Sequence, residues 1–159
     1  MASTVTASTL TVSLTESITL NGQEMGATNT KTIASINEIS KRIVTVTTAE
    51  AVIATFSAAV ASAGHYVAAD VRYVRFTNLD DTNFITLTFR NQDNDEVAIK
   101  LDAGQSFVWN GDNANGMTAV FNATQDADAA SDTAFGSLTN VQADANTSSC
   151  DLEIFVASV

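Results

Sequence analysis

The 159-residue chain has no proline, one cysteine (Cys150), one histidine (His65) and one tryptophan (Trp109), and only 7 Lys or Arg against 18 Asp or Glu. Each shortage excludes something. A single Cys leaves no internal disulfide and no cysteine-rich zinc site, and it fits a reducing compartment. A single His means that any Ser-His-Asp or Cys-His arrangement must use His65. That residue lies in Ala63-Gly64-His65-Tyr66, with no nucleophile elbow beside it, and reads as a loop histidine. The seven glycines are isolated from one another, so no glycine-rich loop is present to cradle a phosphate. The basic residues are scattered from Lys31 to Lys100 in a chain of net charge −11. Phosphate backbones and anionic lipid would both repel it, so neither nucleic acid nor membrane is an expected partner. No apolar run approaches the roughly 18 residues of a membrane span. The start, Met1-Ala2-Ser3-Thr4-Val5-Thr6, lacks the basic region and apolar stretch of a secretory signal, so the expectation is cytoplasmic synthesis.

What is present is apolar material in a regular pattern. Hydrophobic residues make up 45% of the chain and charged residues 16%, enough for one folded domain over 1–159. Leu10, Val12, Leu14, Ile18 and Leu20 recur at every second position, broken only at Glu16, with Thr and Ser between them. That period predicts a half-buried strand or a broken pair of strands. Asn21-Gly22 reads as a tight turn, because both residues tolerate positive φ. Lys31–Ile36 and Lys41–Thr48 read as further strands. Over 49–63 two patterns compete. Thr47-Thr48-Ala49-Glu50 matches a helix capping box, whereas Val52, Ile53, Thr55 and Phe56 suit a strand; a strand over 50–57 is the preferred reading.

Residues 71–110 carry four strand-like runs: Val71–Asn78, Phe84–Arg90, Glu96–Leu101 and Gln105–Trp109. Clusters of Asp, Asn and Gly separate them, which describes an antiparallel meander. Val74 and Phe76, then Ile85, Leu87 and Phe89, then Val97, Ile99 and Leu101 are the expected core faces. Arg72 and Arg75 fall on opposite faces of their strand, so one of them needs a carboxylate, carbonyls or a partner. Met117–Ala123 suggests a short strand, and Leu138–Ala145 with Asp151–Ala157 a closing strand pair. The expected fold is all-β, an antiparallel β-sandwich or jelly-roll-like arrangement of nine to eleven short strands with at most one short helix.

The candidates for chemistry are few. Asp80, Asp81, Asp93 and Asp95 fall in turns, where such residues bond their own backbone. Calcium is the alternative at Asp80/Asp81 or Asp93/Asp95, although Asp93-Asn94-Asp95-Glu96 lacks the glycine and distal Glu of an EF-hand loop. No cofactor and no catalytic residue is expected. Trp109 ends a strand beside a loop and reads either as core or as an anchor for a sugar or a protein partner.

The block Val71–Asn78, followed by Asp80-Asp81-Thr82-Asn83-Phe84, Ala103–Phe107, Gln142–Thr147 and Leu152–Ala157, resembles small virion proteins of tailed bacteriophages, particularly those of marine bacteria and cyanobacteria. With the Thr-rich start and Asn21-Gly22, the likeness spans most of the chain. It consists of strand-and-turn patterns and transfers no functional residues. It implies a β-fold virion component present in many copies and without enzyme activity. The leading expectation is a capsid decoration (cement) protein bound to the major capsid protein or other virion proteins, itself a trimer or dimer. The alternatives are a tail, neck or fibre-adaptor subunit, or a host-facing carbohydrate-binding module using Trp109. Residues 1–20 are the expected interface strand or arm, with Leu10, Val12 and Leu14 adding to a neighbour's sheet edge. The competing reading places that strand in the chain's own sheet.

Overall fold

The computed structural model describes residues 5–109, 116–119 and 137–159. Among these residues the fold is all-β, as the alternation implies. Thirteen strands and one 3-10 turn (Gly116–Ala119) appear, two of the strands only two residues long. Two sheets form a sandwich. We label the strands β1 (Ser8–Glu16), β2 (Thr19–Leu20), β3 (Gln23–Glu24), β4 (Ala27–Ile36), β5 (Glu38–Val46), β6 (Ala51–Ser57), β7 (His65–Val67), β8 (Val71–Asn78), β9 (Ile85–Asn91), β10 (Glu96–Leu101), β11 (Ser106–Trp109), β12 (Leu138–Ala145) and β13 (Cys150–Ser158). One sheet has the order β10-β9-β12-β6-β7, the other β11-β8-β13-β5, antiparallel at every pairing but the one between β6 and β7.

Their facing surfaces make the core. Phe76 of β8 meets Phe89 of β9 edge-on at 6.4 Å between ring centroids, and Phe89 meets Phe107 of β11 at 5.0 Å. Ile85, Leu87, Val141, Leu152 and Ile154 are fully buried beside them. Sheets pack this way because each strand has one apolar face to remove from water.

Two expected pairings are corrected. The 71–110 runs do not form one meander. β9 and β10 form a hairpin in one sheet, whereas β8 and β11 pair with each other in the other. The closing strands also separate: β12 lies between β9 and β6, and β13 between β8 and β5. Two apolar faces exclude more water when they face each other across a sandwich than when they lie side by side in one sheet. Both crossings in the 71–110 region are tied by Asn78, which is fully buried. Its Nδ2 donates to the Asn83 carbonyl at 2.8 Å and the Leu101 carbonyl at 3.1 Å.

Val97 is also corrected. It sits on the core side of its pair with Phe89, but β10 is an edge strand and leaves it exposed. The preferred strand over 50–57 is present as β6. The Thr47 hydroxyl accepts from the Ala49 amide at 3.3 Å, a local turn instead of a helix cap. Residues 117–119 of the expected Met117–Ala123 strand belong to the 3-10 turn, and its last residues lie outside those described. Met117 is buried, and its amide donates to the Ala68 carbonyl at 2.9 Å. The chain also forms β7, a short strand parallel to β6 that pairs Thr55 with His65, where the sequence suggested a loop.

Candidate interaction surface

The N-terminal segment forms a hairpin arm outside the sandwich. β1 pairs with β4 through Leu10↔Ile33, Val12↔Lys31, Leu14↔Asn29 and Glu16↔Ala27. The expected strand therefore joins its own chain's hairpin; it adds to neither sheet of the sandwich. Pairing fixes two faces. One carries Leu10, Val12, Leu14 and Ile33, with Lys31, Asn29 and Glu16 among them. The other is hydroxyl-rich, with Ser13 facing Thr30 at 3.3 Å and Thr15 facing Thr28 at 3.2 Å between side-chain oxygens.

The root of the arm packs on the body. Ile33 and Ile36 are buried with Tyr73 and Ala157, and Leu10, Val12 and Phe155 pack against them. Residues three apart in an unbroken strand point to opposite faces, so Ile33 and Ile36 should not both face inward. A register slip between the Ser8 and Leu10 pairings, with Ser35 at φ 64°, turns both toward the body. This apolar cluster is separate from the sandwich core.

Beyond the root, nearly every residue from 13 to 32 is exposed. At the tip, β2 pairs with β3 around Asn21-Gly22, whose φ values of 51° and 79° are those of a tight hairpin turn. Glu24 holds the kink below this turn. Its carboxylate accepts from the Gly26 amide at 2.8 Å and the Ile18 amide at 3.3 Å, which lowers its pKa from the usual carboxylate value. A Cβ at Gly26 would lie 2.2 Å from the Glu16 carbonyl oxygen, so the kink requires glycine. The result is a defined tip presenting Leu14 (63% exposed), Ile18 (55%), Leu20 (58%) and Met25 (63%). Large apolar side chains on a projecting element make it the candidate contact surface.

The arm root lies on the outer face of the four-stranded sheet. Strand register places residues there in rows: Tyr73–Ala157–Ile39, then Val108–Arg75–Phe155–Lys41, then Ser106–Thr77–Glu153–Ile43. The first row meets the arm. Tyr73 packs edge-on against Phe155 at 5.7 Å, and burial pushes its hydroxyl pKa up. Beyond Phe155, which also packs on the arm root, the later rows leave Val108 and Ile43 exposed. Glu153 is recessed among them and pairs with both Lys41, at 2.9 Å, and Arg75. Those two hydrogen-bonded cations, Lys41 foremost, hold its pKa below the ordinary value. Arg75 also lies over the Phe155 ring, 5.9 Å from its centroid. Thus Arg75 is the arginine of the pair that finds a carboxylate. Arg72 donates to the carbonyls of Ala69 and Val71. Grooves of about 440 and 240 Å³ flank the arm root; both are lined by Leu10 and Phe155.

The outer face of the five-stranded sheet differs in kind. It carries Thr86, Arg90, Asn140 and Asp144, with Thr88 and Gln142 buried among them and Val52 exposed beside Gln142, and Arg90 is paired to Glu96. Among the described residues, most of the exposed large apolar side chains lie on the arm and the sheet beneath it, with Val52, Val60, Leu79 and Val97 elsewhere.

Of the residues anticipated as interface, Leu10 and Val12 are half-buried at the arm root and Leu14 projects beyond it. Trp109 is elsewhere, half-buried against the sandwich core. Sequence reasoning missed Ile43 and Met25; the missing signal was which strand carries the arm and which face lies under it. His65 lines a pocket of about 330 Å³ with Arg42 and Thr55 at the sandwich edge. There Arg42 donates to the carbonyl of Ile53, the residue that the β6–β12 register skips.

The turn acids bond locally. Asp80 accepts from the Asn83 amide at 2.6 Å and the Thr82 amide at 2.8 Å, which lowers its pKa. Asp95 accepts from Asn91 at 3.0 Å and Asp93 from Gln92 at 2.8 Å. Cys150 is buried, and desolvation, followed by the charge of Asp80, raises its pKa. Among the described residues no three His, Cys, Asp or Glu side chains group as a metal site, and no helix is long and apolar enough to cross a membrane. Comparison with protein-family models, curated proteins and solved structures gives no match.

Proposed function

We propose that this chain is a structural, non-enzymatic virion protein of a tailed phage, a capsid decoration protein that grips its neighbours through the hairpin arm. The carrying observation is the arm: one apolar face, buried at the root and exposed at the tip. The sequence resemblance supplies the virion context. The outer face of the other sheet is mostly polar and suits water, which favours the arm side for contact.

The energetics suit a protein present in many copies. Burying Leu14, Ile18, Leu20 and Met25 would contribute about 1.5–3 kcal/mol each. Association costs of several kcal/mol consume much of that sum. One arm thus gives modest affinity, and many copies on a lattice give a stable coat. A protein that binds only the mature shell stabilises that shell by mass action.

The test is electron cryomicroscopy of virions carrying a labelled chain, with copy number from quantitative mass spectrometry. Hundreds of copies on the head surface support decoration. A few dozen copies in the tail or neck would replace it with the tail-subunit reading, and absence from the virion would end the proposal.

A further inference from the structure

We propose that the arm tip docks on a second copy of this chain, on the open outer face of its four-stranded sheet. This rests on the reading of the arm as an assembly element and names the surface that receives it.

Three observations converge on that face. The first is chemical precedent within one molecule. The arm root already packs its Leu10–Val12–Ile33 side on Tyr73, Phe155 and Ala157, and the same side continues to Leu14. Beside the covered part of this face, Ile39 and Ile43 flank Lys41 on β5 and are both exposed, and Val108 is exposed on β11 at the opposite edge. An arm whose near half suits this face in its own chain has a far half suited to it in another.

The second is charge. The chain carries −11, so two copies brought together at random repel. The sheet face escapes this. Lys41 and Arg75 balance Glu153 and, at the far end, Asp151, which bonds Thr45. Glu153 is recessed, with 13% of its side chain exposed, whereas Lys41 is 57% exposed. Of this ion pair, the partner offered outward is therefore the Lys41 ammonium. The arm tip carries Glu16 and Glu24, with Lys31 back toward the root. Because Glu24 is held by its own backbone contacts, Glu16 is the carboxylate available to Lys41.

The third is size. From the Ser13–Thr30 pair to the Asn21-Gly22 turn, the far half of the arm runs about eight residues, or roughly 25 Å at strand rise. Four strands at about 4.8 Å spacing make a face roughly 15–20 Å across. The tip can cross that face, and closed symmetry allows each copy to give one arm and receive one.

The experiment uses the full chain. Sedimentation equilibrium should show self-association at micromolar concentration. The triple variant Leu14→Ser, Leu20→Ser, Met25→Ser alters only exposed side chains, so its fold is preserved; it should raise the dissociation constant at least ~100-fold. Glu16→Lys alone and Lys41→Glu alone should each weaken association by about 3- to 10-fold, and the two together should restore much of it. Mixing a Leu14→Cys chain with an Ile43→Cys chain under mild oxidant should give a crosslink between the two chains. A chain that stays monomeric throughout, or associates equally with and without the three serines, overturns the inference. A monomer whose arm still binds virions would leave the assembly reading intact, whereas self-association without virion binding would sink that reading and keep this one.

Discussion

Replacing Ile33 with alanine should release the arm while leaving the sandwich folded. Ile33 is fully buried, pairs with Leu10 across the hairpin, and belongs to the small cluster with Ile36, Tyr73 and Ala157. The substitution removes three carbons. At about 0.8 kcal/mol per buried methylene, with a further contribution from the cavity, the loss is roughly 2–4 kcal/mol. Because this cluster is separate from the sandwich core, the cost falls on docking of the arm. A two-stranded hairpin without support is marginal in water, so an undocked arm frays. Hydrogen exchange read by mass spectrometry should show amides of β1 and β4 exchanging about two orders of magnitude faster, with β8 and β13 unchanged. Equal loss of protection in β8 and β13 would show the arm to be an integral layer of the domain, and the argument for a separable element would be refuted.

Other perturbations test the supports of the fold. Gly64 has φ +85°, and a Cβ there would lie 2.6 Å from the Arg42 guanidinium, whereas Gly22 at φ +79° has open space around it. Both alanine variants carry a backbone penalty of about 1–2 kcal/mol, but Gly64→Ala also displaces Arg42 from the Ile53 carbonyl, so urea unfolding should find it the more destabilising by about 1–3 kcal/mol. Equal losses would deny that contact its role. Asn78→Ala leaves two carbonyls at the inter-sheet crossings without their donor and should cost about 2–4 kcal/mol, read as a lower melting temperature. Glu153 has a depressed pKa in the folded chain, so its contribution is full above the ordinary carboxylate range and is lost as pH falls through its lowered value. The stability gap between wild type and Glu153→Gln should close in acid; a gap independent of pH would contradict the ion-pair assignment.

Much of the strand content was legible because alternation records which residues face inward. The core faces of β8 and β9 and the choice of strand for 50–57 follow from it, and the Asn21-Gly22 turn follows from the tolerance of both residues for positive φ. Alternation does not record which strand is a neighbour. Val74 and Phe76 bury as well opposite Ile85 and Leu87 as beside them, so the meander and the closing pair were read into one sheet when the chain crosses between two. Register slips are hidden for the same reason. Ile33 with Ile36, and Ile53 with Ala54, are both buried only because the backbone shifts by one residue between pairings. The arm was half visible: Leu10, Val12 and Leu14 share a face in the sequence, but nothing there marks the point at which the body ends and exposure begins.

The account stands most directly on whether the arm tip is the gripping surface. Co-sedimentation of purified chain with the virions that encode it should give saturable binding for the wild type. The Leu14→Ser, Leu20→Ser, Met25→Ser variant, with an unchanged circular-dichroism spectrum, should bind at least ~10-fold more weakly. Binding of the triple variant equal to that of the wild type would contradict the account.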